Sequence, residues 1–112
     1  VKKISKDAVQ NQQLNDMLEE QSQLKANGAD VRDVRVNQTQ VNANGEVVGI
    51  NRPDLQYTLD GKRYYVEWDK PICGDPTRSL RGQSHGLRIL LNDSDIDFST
   101  QVILKIAGAT CD

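Results

Sequence analysis

Apolar positions recur at helical spacing early in the chain. Leu14, Met17, Leu18, Gln21 and Leu24 form one narrow stripe in a segment rich in Gln, Glu and Asn, which predicts a helix over residues 5–25 laid against a sheet. Asn27-Gly28 is its expected stop. The period then changes. Asn44-Gly45 separates residues 41–43 from 46–48, and Asp60-Gly61 separates residues 55–59 from 62–68. Both dipeptides favour the positive φ angles of a type I′ hairpin turn. A loop over residues 70–76 leads to a second expected helix, residues 79–91, weakened by Gly82 and Gly86 and apolar at its end. After the turn-rich stretch 92–95, residues 102–106 read as a short strand buried on both faces. The order helix, strands, helix, strand predicts an α/β (α+β) class, with a central mixed sheet flanked by helices.

The hairpin around Asp60-Gly61 carries the most information. A two-residue turn pairs Leu59 with Lys62 and, continuing outward, Gln56 with Tyr65 and Asp54 with Glu67. One face then holds Asp54, Gln56, Thr58, Arg63, Tyr65, Glu67 and Asp69, and the other Leu55, Tyr57, Leu59, Tyr64, Val66 and Trp68. The second face is apolar or aromatic throughout and is the expected core side. A three-residue turn mixes the faces, whereas a four-residue turn keeps them separate and sets Asp54 opposite Asp69. Either surviving register opposes Asp54 to a carboxylate, with Cβ atoms about 5 Å apart, a destabilising arrangement for like charges. A hard divalent cation resolves it, since Mg²⁺ takes carboxylate oxygens, keeps waters and bridges to phosphate. The plainer alternative is a solvated strand face whose acids pair with Lys62, Arg63 or Lys70.

Totals narrow the choice. The chain has 112 residues and a formal net charge of −2, which suits one domain and counts against a simple basic nucleic-acid-binding module. We take residues 1–112 as that domain, with 1–4 and 108–112 as terminal extensions. Cys73 and Cys111 are too few for a disulfide scaffold and lack metal-ligand spacing; one bridge between them and two free thiols are both open. No apolar stretch is long enough to span a bilayer, and no signal peptide is visible. A chain beginning at Val1 reads as an excised or processed fragment.

Pro53-Asp54, a hairpin, and then Glu67-Trp68-Asp69-Lys70 resemble the PD-(D/E)XK motif of restriction-endonuclease-like nucleases. The resemblance implies that Asp54 and Glu67 bind a metal, Mg²⁺ or alternatively Mn²⁺ or Zn²⁺. The position of the family's water-positioning lysine is held here by Asp69, and Lys70 falls one residue late. Asp69 is therefore a third candidate ligand, and Lys70 a candidate catalytic residue from the opposite strand face. The family's core order, helix, motif hairpin, helix, strand, covers residues 5–107. More narrowly, RPDLQYTLDGKRYYVEWD, SLRGQSHGLRILLND and VILKI resemble toxin domains at the C-termini of bacterial polymorphic toxins, of the contact-dependent growth inhibition and Rhs types. That resemblance implies a monomeric DNase or RNase delivered on a secreted or cell-surface carrier. It acts in the cytoplasm of a rival cell and is neutralised by a cognate immunity protein.

Residues 81–88 add a second candidate group. Arg78, Arg81 and Arg88 stand near an expected helix start, where arginines grip phosphate bidentately. His85 is a candidate general acid on the leaving oxygen; a lone histidine is more often a surface or packing residue than a catalyst. Two rival functions follow. One is a metal-independent toxin ribonuclease resembling the barnase, colicin and EndoU-like group, using His85, Arg88, Arg63 and Tyr65. The other is a protein-binding domain without chemistry. DNA and RNA are equally compatible substrates.

Overall fold

A computed structural model describes residues 2–79 and 100–112. The expected helix is α1, Ala8–Ala26. It starts at residue 8 because Asp7 is extended and its Oδ1 accepts the N–H groups of Val9 and Gln10 at 2.9 and 3.1 Å, two of the donors a helix start leaves unpaired. It ends in a Schellman arrangement: Gly28, at φ +100°, donates to the Lys25 carbonyl, and Ala29 donates to that of Leu24. Leu14 and Gln21 of the expected stripe are buried, and Met17, Leu18 and Leu24 half-buried.

Four strands follow: β1 (Val31–Val36), β2 (Leu55–Leu59), β3 (Lys62–Asp69) and β4 (Gln101–Ile106). They form one sheet in the order β1-β2-β3-β4, antiparallel except for the parallel β3–β4 pair. The described chain is thus α+β, one helix on a mixed sheet. The β2–β3 register is that of the two-residue turn, from Leu59↔Lys62 to Leu55↔Val66, and Asp60 and Gly61 both have positive φ, +50° and +83°. Leu55, Tyr57, Val66 and Trp68 meet Leu14 of α1 in the core, with Met17, Leu18, Leu59, Tyr64 and Ile103 packed around them.

Two expectations are corrected, and one strand is unexpected. Strand β1 escapes the hydrophobic pattern because Val31 and Val34 are three apart, which breaks the two-residue period. A β-bulge absorbs the extra residue: Arg32 faces Thr58 and Arg35 faces Gln56, with Asp33 at φ +50° between them. Asn44-Gly45 does not form a type I′ turn. Only Gly45 has positive φ there; Gly45 N–H reaches the Asn42 carbonyl and Asn42 N–H that of Glu46, a type I turn closed by a bulge, and the flanks form a single bridge, Val41↔Val47. Strand β4 is half-buried along Val102 to Ile106 rather than enclosed on both faces. The helix expected over residues 79–91 lies outside the described residues from Leu80 onward.

Candidate active site

The polar face of the hairpin is covered. After β1 the chain leaves the sheet at Asn37 (φ +50°) and returns at Asp54, the two joined by Asn37 N–H to the Asp54 carbonyl at 3.0 Å. Between them an arm, residues 37–53, folds back over the sheet. Gln56 Oε1 accepts from Val41 N–H at 2.8 Å, and its amide nitrogen donates to the Gln38 and Thr39 carbonyls. Arg63 donates to the carbonyls of Val41 and Asp33, to Thr58 Oγ1 and to Gln56 Oε1, at 2.6–3.1 Å. The Tyr65 hydroxyl donates to the same Val41 carbonyl at 2.8 Å. Arg63, Tyr65 and Gln56 are each 0% exposed.

This corrects two sequence expectations. The centre of that face is not solvated, and Arg63 and Tyr65 are withdrawn from substrate into a buried network that pins the arm. Buried polar groups need partners, and the arm's carbonyls supply them. Burial pulls the Arg63 guanidinium below its usual pKa, with Tyr65 and Asp33 acting the other way.

The acidic residues lie where the arm ends. Asp54 immediately precedes β2, one step beyond the Leu55↔Val66 pair, so the register sets it opposite Glu67. Its Oδ2 accepts the backbone N–H of Trp68 at 2.8 Å, which fixes the carboxylate against β3. Glu67 is half-buried and pairs with Leu104 of β4, and Asp69, 8% exposed, pairs with Ile106. The Asp69 carboxylate accepts from Lys70 N–H at 2.9 Å, and its carbonyl accepts from Ala107 N–H. Paired residues of neighbouring strands share a face, so Leu104 and Ile106 continue the acidic face onto β4. There they line a cavity of about 100 Å³ together with Thr77, Arg78 and Ser79. The loop after β3 thereby brings Arg78 to the face that carries Glu67 and Asp69, a placement that strand pairing discloses and residue spacing does not.

Lys70 sits elsewhere. Its stem lies against Gly108, where an added Cβ would stand 3.3 Å from Lys70 Cγ and 3.1 Å from Asp7 Oδ2. Asp7 is held below the ordinary carboxylate range: burial pushes it up, but the N–H groups of Gln10, Ala109 and Val9, with the Lys70 charge, more than offset this. Arg81, His85 and Arg88 lie outside the described residues. Among the described residues no three His, Cys, Asp or Glu side chains are grouped closely enough to hold a metal ion. Asp54 and Glu67 supply the oxygen-donor chemistry that a hard divalent cation takes from protein when phosphate and water complete its shell.

Comparison of the chain with protein-family models, curated proteins and solved structures found no match in any of the three.

Proposed function

We propose that this chain is a metal-dependent phosphodiesterase, a nuclease domain of the PD-(D/E)XK type. The observation that carries the reading is the hairpin register, which opposes Asp54 to Glu67 with the Asp54 carboxylate anchored on Trp68 N–H. The helix-first order and the single hairpin bearing both acids agree with the core order that the resemblance implies. In this reading Asp54 and Glu67 hold Mg²⁺ or Mn²⁺, Asp69 assists from the lysine position of the motif, and Arg78 contacts phosphate from the neighbouring cavity. The bound ion supplies Lewis-acid stabilisation of the phosphate and a more acidic water. His85 acts as general acid on the leaving oxygen, and Arg81 and Arg88 contact phosphate. Lys70, packed beside Asp7, has no part in the proton transfers. The wider setting follows from the toxin resemblance: delivery on a larger carrier into a competing bacterium, and neutralisation by a cognate immunity protein.

The test is cleavage of plasmid DNA and of tRNA by purified protein with Mg²⁺ or Mn²⁺. Asp54→Asn and Glu67→Gln are assayed alongside, with folding verified by circular dichroism. Each variant is expected to lose about 100-fold or more in rate, the scale on which removing one transition-state stabiliser acts. EDTA abolishes cleavage if the reading is right. Cleavage that survives EDTA transfers the activity to a metal-independent ribonuclease, and failure to cut either polymer leaves a binding domain.

A further inference from the structure

The segment after β4 is tied to three parts of the chain at once. The Ala107 N–H reaches the Asp69 carbonyl at the end of β3, and the Ala107 carbonyl accepts from Gln10 Nε2 on α1, both at 2.9 Å. Ala109 N–H donates to Asp7 Oδ2 at 2.9 Å, while Oδ1 of the same carboxylate caps α1. Further on, Cys73 N–H donates to the Asp112 carbonyl and Asp112 N–H to that of Pro71, both at 2.9 Å. These two bonds flank a disulfide between Cys73 and Cys111, which closes 38 residues of sequence.

What holds this knot is unevenly distributed. Ala107 packs against the core, but residues 109–112 are exposed, as are Cys73 and Gly74. Beyond Ala107 the described attachments are hydrogen bonds: Ala109 N–H to the buried Asp7 carboxylate, and the two backbone bonds that Asp112 makes with Cys73 and Pro71. The covalent bond is the one link that reduction can open, and both of its sulfurs belong to exposed residues.

We propose that Cys73–Cys111 is a thiol-responsive latch. Closed, it docks residues 70–78 and 107–112 onto the end of β3 and the start of α1; opened, it releases them while the hairpin and its arm stay folded. The inference goes beyond the nuclease reading and does not depend on it. Opening is ordinary exchange with a dithiol reductant. One thiolate attacks a cysteine sulfur, forming a mixed disulfide and expelling the other cysteine as a thiolate. The second thiol of the reductant then displaces the first cysteine. Two electrons and two protons pass to the protein, and the reductant leaves as its own disulfide.

Hydrogen exchange read by mass spectrometry separates a latch from a bond that acts on the whole fold. The oxidised protein, the protein in dithiothreitol, and the Cys73→Ser/Cys111→Ser double variant are compared. Peptides covering residues 70–78 and 107–112 are expected to exchange about tenfold faster or more once the bond is open, as a separate opening unit does. Peptides of β2 and β3 retain much slower exchange than those segments. A common rise across all peptides overturns the proposal, because the bond then acts on global stability alone. So does unchanged exchange in the two segments, or resistance of the bond in the folded protein to dithiothreitol. Should the double variant fail to fold, reduction of the folded native chain separates the same outcomes.

Discussion

The two faces of the β2–β3 hairpin are both buried, by opposite means. One face presents Leu55, Tyr57, Val66 and Trp68 to Leu14 of α1, and apolar area removed from water holds it, at roughly 25 cal/mol per Å². The other presents Gln56, Arg63 and Tyr65 to the carbonyls and amides of an arm, with Thr58 Oγ1 accepting from Arg63 beneath it, and hydrogen bonding to backbone holds it. The first contact is non-directional and tolerates repacking. The second is directional: each side-chain atom specifies where a carbonyl must lie. The polar face thus fixes the path of residues 38–48, and with it the point at which the chain returns to deliver Asp54 opposite Glu67.

Three changes would break or sharpen this contrast. The largest effect is expected from Leu55→Ala on the apolar face, fully buried, at about 3 kcal/mol of unfolding free energy for a leucine truncated in a packed core. Chemical denaturation measures it, and the loss should be global, with no one segment opening ahead of the rest.

Arg63→Met on the polar face should cost somewhat less, about 2–3 kcal/mol. It keeps much of the volume while removing the buried donor shared by the Val41 and Asp33 carbonyls, Thr58 Oγ1 and Gln56 Oε1. Here the loss is expected to be local: amides of residues 38–48 exchange faster while those of α1 keep their protection. Equal, uniform loss in both variants would erase the distinction between the faces.

The smallest effect separates the faces by pH. Asp7 lies on the helix side with a lowered pKa, so the stability it contributes is complete above its unfolded-state value of 3.8 and is lost as pH falls through the folded value. As pH falls below the unfolded-state value of 3.8, the start of α1 and residues 107–109 should loosen first. Arg63 donates to carbonyl, amide and hydroxyl oxygens, which do not titrate in that range, so the arm should hold. Asp7→Asn removes the acid dependence at a cost of a few tenths to about 1 kcal/mol, because Asn also caps helices; acid unfolding followed by circular dichroism and NMR reads both.

The features legible in the sequence are those that local chemistry decides. The α1 stripe, its Asn27-Gly28 stop, the Asp60-Gly61 turn and the register it imposes all depend on neighbours within a few residues. Strand β4 is legible as a strand; its half-exposure follows from its place in the sheet, which periodicity does not encode. Strand β1 is hidden by its bulge. The arm is hidden for a different reason: alternation assigns residues to faces but does not say what covers a face, and a polar face closed by backbone carbonyls has the same residue pattern as one open to water. Two cysteines in a sequence are compatible with a bond or with free thiols, and only the three-dimensional proximity of Cys73 and Cys111 decides between them. For the site, Asp54, Glu67 and Asp69 stand out by alternation, whereas the approach of Arg78 depends on a parallel strand from far along the chain.

Trp68 is the one tryptophan in the chain, and its anchors run to both halves of the molecule. Its backbone N–H is held by the Asp54 carboxylate at 2.8 Å, and its indole N–H by Gln13 Oε1 on α1 at 2.9 Å. The protein therefore carries a built-in fluorophore with one end on the acidic site and the other on the helix. A shift of the Asp54 carboxylate is expected to alter its emission, read without a label in a chain where no second indole contributes to the signal.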